Sequence, residues 1–590
     1  MVRLSDFNKI IYKRPRVFRY DKSLENIVGF DSEAYKSGAS FLYTTSRGDV
    51  LTPDNLIDIL FKDYVGANFV TWNLKYESGA ILRIFPTAFI KRLQEDHKAV
   101  TVYHGVKYTI SYLPHKQLKI RTGKSVIRFW DISPFYGRMK LGTAAEKYLS
   151  ETKTEGVNPD LFTVDYVEKN FDTIVKYCIQ DSVLTCKLAE LWIEKFEETG
   201  VPVTSLYSEA SISFSYISRK AEIVTPWEYW NTQRKMLRLA FESYEGGKFE
   251  VTMRGKFTGF EYDISSAYPY EIANLVDIRK AVILYGRAYI RDAVYAFLRV
   301  HITLNNPDIH LPCGLFKKLR VYPIGSYYLT ITKQEYDYIK EIGVKIRILD
   351  AVWIVPNGLS YPYKQVMGEL YALKQEWKKK DPQRSHNYKI IMNGFYGKMA
   401  QCISDKEGEY VAGMGWNPVY SSVITANTRI AVTRLQNLLK DDCLAVHTDS
   451  VITTKPIPES FMGGKLGQFE FVVKGEGIIV ACGVYEINGQ CALKGFKKTA
   501  LTSILKEHPG KLVIRQFARH VESWLQAMSR NADKEAINVF NNEYPKDLKL
   551  NCDTKRIWER DLTSTEFLET SQYSMPLIEM QESKPSYWKE

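Results

Sequence analysis

The chain has no CxxC pair and no Cys/His spacing of the kind that holds zinc, although eight cysteines are scattered along its 590 residues (Cys178, Cys186, Cys313, Cys402, Cys443, Cys482, Cys491 and Cys552). Structural zinc and a disulfide framework are thereby excluded, and the cysteines read as reduced, mostly buried thiols. No charged-then-apolar leader opens the sequence. The longest apolar stretch, Gly477 to Tyr485, is far too short to span a bilayer, so the expectation is a protein without membrane association that stays where it is made. Repeats and low-complexity tracts are missing as well, which excludes a solenoid.

What is present is ordinary in bulk. The 45% apolar and 25% charged residues suit a globular protein, and the length exceeds what one hydrophobic core organises, so two or more packed modules are expected. The formal charge of +12 and pI near 8.9 suit a polyanionic partner, because Lys and Arg that neutralise phosphates release counterions. The 39 Tyr and 28 Phe point weakly the same way, since aromatic rings stack on unpaired bases; the competing reading of any one ring is core packing.

Residues 1–24 carry Arg3, Lys9, Lys13, Arg14, Arg16 and Arg19 with little periodicity and read as a basic arm. Asn26–Phe30 and Asn68–Trp72 are short apolar runs of strand type, the second leading into a helix over Tyr76–Phe85. A long helix is predicted over Phe171–Thr199. There Tyr177, Asp181, Leu184, Leu188 and Leu191 recur at helical spacing on one stripe that should face the sheet of the two strands. Residues 360–400 read as a helical hairpin broken at Asp381-Pro382-Gln383-Arg384. Gly259–Ile264 and Cys443–Thr453 read as strands, and Leu512–Met528 as an amphipathic helix in a separate C-terminal lobe.

Three segments of the first third carry acids with chemical potential. In Gly29-Phe30-Asp31-Ser32-Glu33 two carboxylates two residues apart share one face of a strand and can reach one cation. Trp72-Asn73-Leu74-Lys75-Tyr76-Glu77 supplies another carboxylate at a strand-to-helix junction. In Tyr177-Cys178-Ile179-Gln180-Asp181 the Tyr and Asp are one helical turn apart, and an acid on an otherwise apolar stripe is costly unless it pairs or binds metal. In this order the segments resemble the three exonuclease motifs of family B DNA polymerases. The resemblance implies that Asp31, Glu33, Glu77 and Asp181 hold two Mg²⁺, that Tyr177 orients the attacking water, and that Asn73 contacts the single-stranded 3′ end. The family has Asp where this chain has Glu77, one methylene longer, which would displace the second metal and weaken proofreading. The alternative for Glu77 is a surface ion pair with Lys75 or Arg83.

The remainder holds four further segments. Tyr244-Glu245-Gly246-Gly247 is a turn by itself and resembles the YxGG segment of small-phage members, so Tyr244, Gly246 and Gly247 are expected to hold the template between the two sites. Tyr262-Asp263-Ile264-Ser265-Ser266-Ala267-Tyr268-Pro269 resembles DxxSLYP, with Ala267 for Leu. Asp263 would bind both metals, the following amides would cradle the triphosphate, and Tyr268 would fill the space of a 2′-hydroxyl. Lys389, Asn393 and Tyr396 lie on one helical face and resemble KxxxNSxYG with Gly394 for Ser. Lys389 would neutralise the triphosphate, Asn393 and Tyr396 would contact the nascent base pair, and Lys374 would add a second phosphate contact. His447-Thr448-Asp449-Ser450 reads as a turn between strands and resembles YxDTDS, with Ala445 for Tyr and His447 for the first Asp. Asp449 would grip the metals with Asp263. His447 would either hydrogen-bond when neutral, approach a primer phosphate when protonated, or only shape the turn.

The resemblance implies an α+β multidomain chain: a basic arm (1–24), a ribonuclease H-like 3′ to 5′ exonuclease domain (25–200), a linker with the YxGG segment (201–247), and a right-hand polymerase. The latter comprises a first palm part (248–360), a fingers hairpin (361–400), a second palm part (401–490) and a thumb (491–590). The compact size favours the protein-primed enzymes of bacteriophages and linear plasmids. The interval near 280–360 leaves room for the insertion that contacts a terminal protein, whereas the interval between Gln401 and Pro418 points to a truncated second insertion. Where the family's KxY motif needs Lys the chain has Gly483-Val484-Tyr485, so Tyr485 with Lys494 or Lys497 is the expected primer contact. The implied partners are primer-template DNA, dNTPs and a terminal protein primer. The implied cofactor is Mg²⁺, two ions per site, with Mn²⁺ substituting. A monomer in the cytoplasm, the host's for a phage gene, completes the expectation. A stand-alone nuclease or a silent DNA-binding protein would leave Asp263, Lys389 and Asp449 unexplained.

Overall fold

A computed structural model of the protein describes residues 4–14, 22–35, 39–154, 157–404, 409–494, 496, 499–519 and 543–588. The N-terminal module is built on an eight-stranded sheet. Its centre is formed by β1 (Ile27–Ala34), β2 (Asn68–Thr71) and β3 (Ser125–Asp131), which run parallel. Such strands are covered on both faces, which is why Val28, Phe30, Phe69, Val70, Ile127 and Phe129 are all wholly buried. Ser40–Thr45 and Val50–Leu51 extend one edge, and an antiparallel meander over 98–122 extends the other. The first strand continues past Phe30 to Ala34, so Asp31 and Glu33 lie inside it.

Helix α1 (Leu74–Leu82) follows β2 directly. Helix α2 (Val164–Glu197) starts earlier than its apolar stripe suggests, because the Thr163 side chain accepts from the Tyr166 amide and Asp165 sits in the first turn. It lies so close to β1 that a Cβ on Gly29 would come 1.9 Å from the Ser182 carbonyl oxygen. Only glycine allows that approach.

The rest of the chain is organised by a second, nine-stranded sheet. Its long middle strand β4 (Met253–Ile264) leads into the short helix α3 (Ala267–Ala273). The helical hairpin consists of α4 (Lys364–Trp377) and α5 (Pro382–Met399), with the Asp381 carboxylate accepting from the Arg384 amide and Pro382 opening the helix. Helix α6 (Pro418–Leu439), capped by Asn417, leads into the hairpin of β5 (Cys443–Thr448) and β6 (Ser450–Thr453). Strand β6 pairs with one side of β4, and β7 (Phe469–Ala481) with the other. Residues 282–355 supply four strands of a separate five-stranded sheet with a core of its own, including Leu298, Ile302, Tyr327 and Trp353. Among the described residues no helix is long and apolar enough to cross a membrane.

Three expectations are corrected. The described part of the basic arm is anchored: Phe7, Ile10 and Tyr12 are buried, Ile10–Ile11 pairs with Tyr410–Val411, and the Tyr12 ring meets Trp227, Trp230 and Trp416. The apolar residues between the basic ones decide its placement. Of the helix expected over Leu512–Met528, residues Val513–Arg519 form a strand paired with Glu543–Lys549, in which buried Ile514 faces buried Leu548 and its neighbours Val513 and Arg515 are exposed. That alternation has the period of a strand; residues 520–528 lie outside the described residues. The last hundred residues are not wholly a separate lobe, because Ser571–Pro576 pairs with the start of β4 and Ile578–Met580 runs parallel to Ile324–Ser326 in the five-stranded sheet. Between Gln401 and Pro418 the described residues hold only the small hairpin Cys402–Ser404 with Tyr410–Ala412.

Candidate active sites

The first site lies where β1, α1 and α2 meet. Asp31 and Glu33 project from one face of β1, and the close seat of α2 brings Cys178 against them, its Sγ 3.4 Å from Oδ2 of Asp31. One ligand atom each of Asp31, Glu33 and Cys178 lie within 4.8 Å of one another. Asp181, three residues further on the same helical face, accepts from the Lys153 ammonium at 2.5 Å, and that ammonium also sits 4.3 Å above the Tyr177 ring. Burial, then the neighbouring Asp181, pushes the Asp31 carboxyl up to about 7. Burial, then Asp31, pushes Glu33 and Glu77 well above the carboxylate range.

Glu77 is only 3% exposed and its Oε2 has no hydrogen-bond partner, which overturns the surface ion pair as its reading. Oδ1 of Asp181 is likewise buried without a partner. Several acids sharing one buried space cannot all ionise unless a cation compensates them, so the donor set fits divalent metal. Asn73 starts α1 with its side chain exposed and unused as a cap. Sequence reasoning missed three residues here: Cys178 as a donor, Lys153, and Asp131 at the end of β3, whose Oδ1 accepts from Ser133 while burial pushes it up to about 6. Asp131 had a signal, an acid closing an apolar strand; Lys153 lies in a polar segment with none.

The second site forms where β4 ends beside the β5–β6 turn. Asp263 stands opposite Ser450, and the Ile264 amide donates to the Asp449 carbonyl at 2.8 Å, which locks the turn to the strand. Burial, then Asp449, then Glu261, pushes the Asp263 carboxyl up to about 7, and burial raises Asp449. Both acids line a cleft of about 760 Å³ together with Tyr268, Lys374, Lys389, Asn393 and Glu470, the last not foreseen from sequence. Lys374 donates to Ser266 Oγ at 3.2 Å. The Tyr268 ring packs on Tyr396 at 4.6 Å, and the Tyr396 hydroxyl is 2.5 Å from that of Tyr244.

Several departures from the expected motifs have local causes. A Cβ on Gly394 would lie 2.9 Å from Ser213 Cβ and 3.0 Å from the Glu209 carbonyl, so α5 has no room for Ser. Gly483 has φ +74°, a conformation lysine rarely adopts, and a Cβ there would sit 3.5 Å from that of Lys494, whose exposed side chain runs over Phe249. Lys497 lies outside the described residues. Gly247 abuts the turn: a Cβ would come 2.5 Å from the Thr448 side chain. Gly246 and Glu245 carbonyls accept from the buried guanidinium of Arg429, which also pairs with Glu335.

His447 is buried and stacks on Tyr485, with ring centroids 4.9 Å apart and planes 4° from parallel. Its Nε2 accepts from the Gly483 amide at 3.4 Å, and the Tyr485 hydroxyl donates to Glu261 at 2.7 Å. Burial, then Lys555, pushes the imidazole down to about 4. It is therefore neutral near pH 7, and the protonated contact with a phosphate is set aside.

The family described as DNA polymerase type B, organellar and viral, matches residues 140–435. A DNA polymerase of Acidianus bottle-shaped virus (isolate Italy/Pozzuoli) is 25% identical over 391 residues, 62% of this chain; the match spans 57% of that relative's length. Among solved structures, phi29 DNA polymerase in an orthorhombic crystal form superposes with a TM-score of 0.59 at 12% identity, covering 83% of this chain and 97% of that one. The same polymerase complexed with primer-template DNA gives a TM-score of 0.60 at 13% identity, over 89% and 99%. At such identity the likeness shows the fold, an α+β multidomain chain with a ribonuclease H-like module followed by a right hand. The family match takes in half the chain, including Tyr177, Asp181, Asp263 and Lys389, and on that ground the protein belongs to the type B DNA polymerases of the organellar and viral group.

Proposed function

We propose that the protein is a template-directed DNA polymerase with 3′ to 5′ proofreading exonuclease activity, each centre working by two-metal phosphoryl transfer. The carrying observation is the convergence of Asp263, Asp449, Lys389 and Tyr268 on one cleft from four different elements. When bound, Mg²⁺, or Mn²⁺ in its place, two ions per centre, would lower the pKa of the attacking oxygen and neutralise charge on the phosphoryl group. Asp263 and Asp449 would hold the ions, Lys389 and Lys374 would neutralise the dNTP triphosphate, and Tyr268 would exclude a 2′-hydroxyl. Asn393 and Tyr396 would contact the nascent pair, Tyr244, Gly246 and Gly247 would guide the template, and Tyr485 with Lys494 would hold the primer. In the nuclease centre Asp31, Glu33, Glu77 and Asp181 would hold metal, Tyr177 would orient water, and Asn73 would hold the 3′ end.

The division into palm, fingers and thumb follows the boundaries given above, except that residues 571–580 serve the palm and the insertion. The sheet over 282–355 is the proposed seat of a terminal protein, for a monomeric enzyme that replicates a phage- or plasmid-type genome in the host cytoplasm. Primer extension with labelled dNTPs and Mg²⁺ tests the main reading: template-dependent extension supports it, and its absence under any divalent cation sinks it. Extension without a primer, with and without a candidate terminal protein, tests the priming mode.

A further inference from the structure

The nuclease centre contains a donor that carboxylate chemistry does not require. Cys178 is wholly buried on α2, and the absent side chain of Gly29 lets that helix seat its Sγ 3.4 Å from Asp31 Oδ2. The thiol also accepts from Thr44 Oγ1 at 3.2 Å. Asp31, Glu33 and Cys178 present three ligand atoms within 4.8 Å. Independently, Oε2 of Glu77 and Oδ1 of Asp181, on side chains more than nine-tenths buried, have no partner beside this group. The second centre offers Asp263, Asp449 and Glu470 but has no thiol on its cleft.

Magnesium takes oxygen ligands and keeps much of its water, whereas sulfur donors favour Co²⁺, Zn²⁺ and Cd²⁺. We propose that Cys178 is a cation ligand of the nuclease centre, giving it a mixed carboxylate and thiolate set that prefers softer divalent ions than the carboxylate set of the synthetic centre. Binding moves the thiol proton to solvent as the metal–sulfur bond forms. The two centres of one chain then differ in metal preference, so a trace of soft cation in Mg²⁺ buffer alters degradation before synthesis. This inference deepens the nuclease reading and rests on it.

The test is titration of the full-length protein with Cd²⁺ and with Co²⁺, following the thiolate-to-metal charge-transfer absorption of wild type against Cys178→Ala and Cys178→Ser. Bands from the other seven thiols cancel in the difference. The expected result is one metal equivalent of absorption missing from both variants. The ratio of single-strand degradation in Co²⁺ to that in Mg²⁺ is expected to fall by about tenfold or more in Cys178→Ser. Spectra identical to wild type in the variants, or an unchanged rate ratio, overturn the proposal. Should the alanine variant fail to fold, the serine variant, slightly smaller but still able to donate and accept hydrogen bonds, decides. If wild type degrades no single strand with any cation, the nuclease reading has failed, and the difference absorption alone still decides whether Cys178 binds metal.

Discussion

Tyr268 sits half-buried with its ring packed against Tyr396, which restrains it in the place the proposed reading sets against a 2′-hydroxyl. Tyr268→Ala is expected to raise the ratio of rNTP to dNTP incorporation efficiency by about tenfold or more, the scale of a lost steric exclusion; an unchanged ratio removes the steric role. His447 stacks on Tyr485, and on the proposed reading it acts through that neighbour. His447→Ala should cost only a few-fold, about 1 kcal/mol for a lost ring stack, and appear as weaker primer-template binding with the Mg²⁺ requirement unchanged. A complete loss of chemistry would place the imidazole at the reacting atoms instead. The raised carboxyls give a pH signature in the cation-free protein. Asp31 and Asp263 are both pushed up to about 7, so each favours the folded state when protonated; this stability is full below the unfolded value near 3.8 and is lost as pH rises through about 7. In a chelator, the melting temperature should therefore fall as pH rises over that window, and Asp31→Asn with Asp263→Asn should flatten the fall. Melting curves taken across the window decide it, and an equal slope in the double variant counts against the raised carboxyls. Apart from Asp131 and Glu470, the acids of both sites were legible because carboxylates on strand faces and at turns leave a pattern. Cys178 and Lys153 were not, since a thiol in an apolar helix reads as core and a lysine in a polar segment reads as surface.

At the scale of elements, the seat of α2 on β1 carries the proposed nuclease centre. A Cβ on Gly29 would collide with backbone, the Ser182 carbonyl, which cannot turn away as a side chain would. Gly29→Ala should lift α2, part Asp181 and Tyr177 from Asp31 and Glu33, and cut single-strand degradation at least about tenfold, while primer extension survives. Equal degradation by variant and wild type would show that the helix seat does not set the centre. The same elements show what patterning can reveal. The hairpin of α4 and α5 was legible from Asp381-Pro382, a cap followed by a residue that cannot sit inside a helix. The strand at Val513–Arg519 was not: its partner Glu543–Lys549 lies beyond an intervening segment, and pairing with a distant strand overrides local spacing. The burial of Phe7, Ile10 and Tyr12 was hidden in the same way, by aromatic partners more than two hundred positions away.

For the molecule as a whole, the two centres rest on different sheets, so their losses should separate. Asp263→Ala or Asp449→Ala is expected to abolish incorporation and leave degradation largely intact, and Asp31→Ala with Glu33→Ala to do the reverse. Parallel assays of extension and 3′ nucleotide release measure both, and joint loss in either variant would mean the centres are coupled. The pairing of β4 with Ser571–Pro576 has a different consequence, for the order in which the chain folds. Arg254 and Gln572, joined across that pairing, are 318 positions apart, whereas the central strands of the N-terminal sheet all lie between residues 27 and 131. Long-range pairing must meet its loop-closure entropy before any contact repays it, so the nearby strands condense first and the distant ones last. On the proposed reading, a chain part-way through folding would then pass through a stage that holds the degrading centre ahead of the copying one, and would erase a 3′ end before it could extend it.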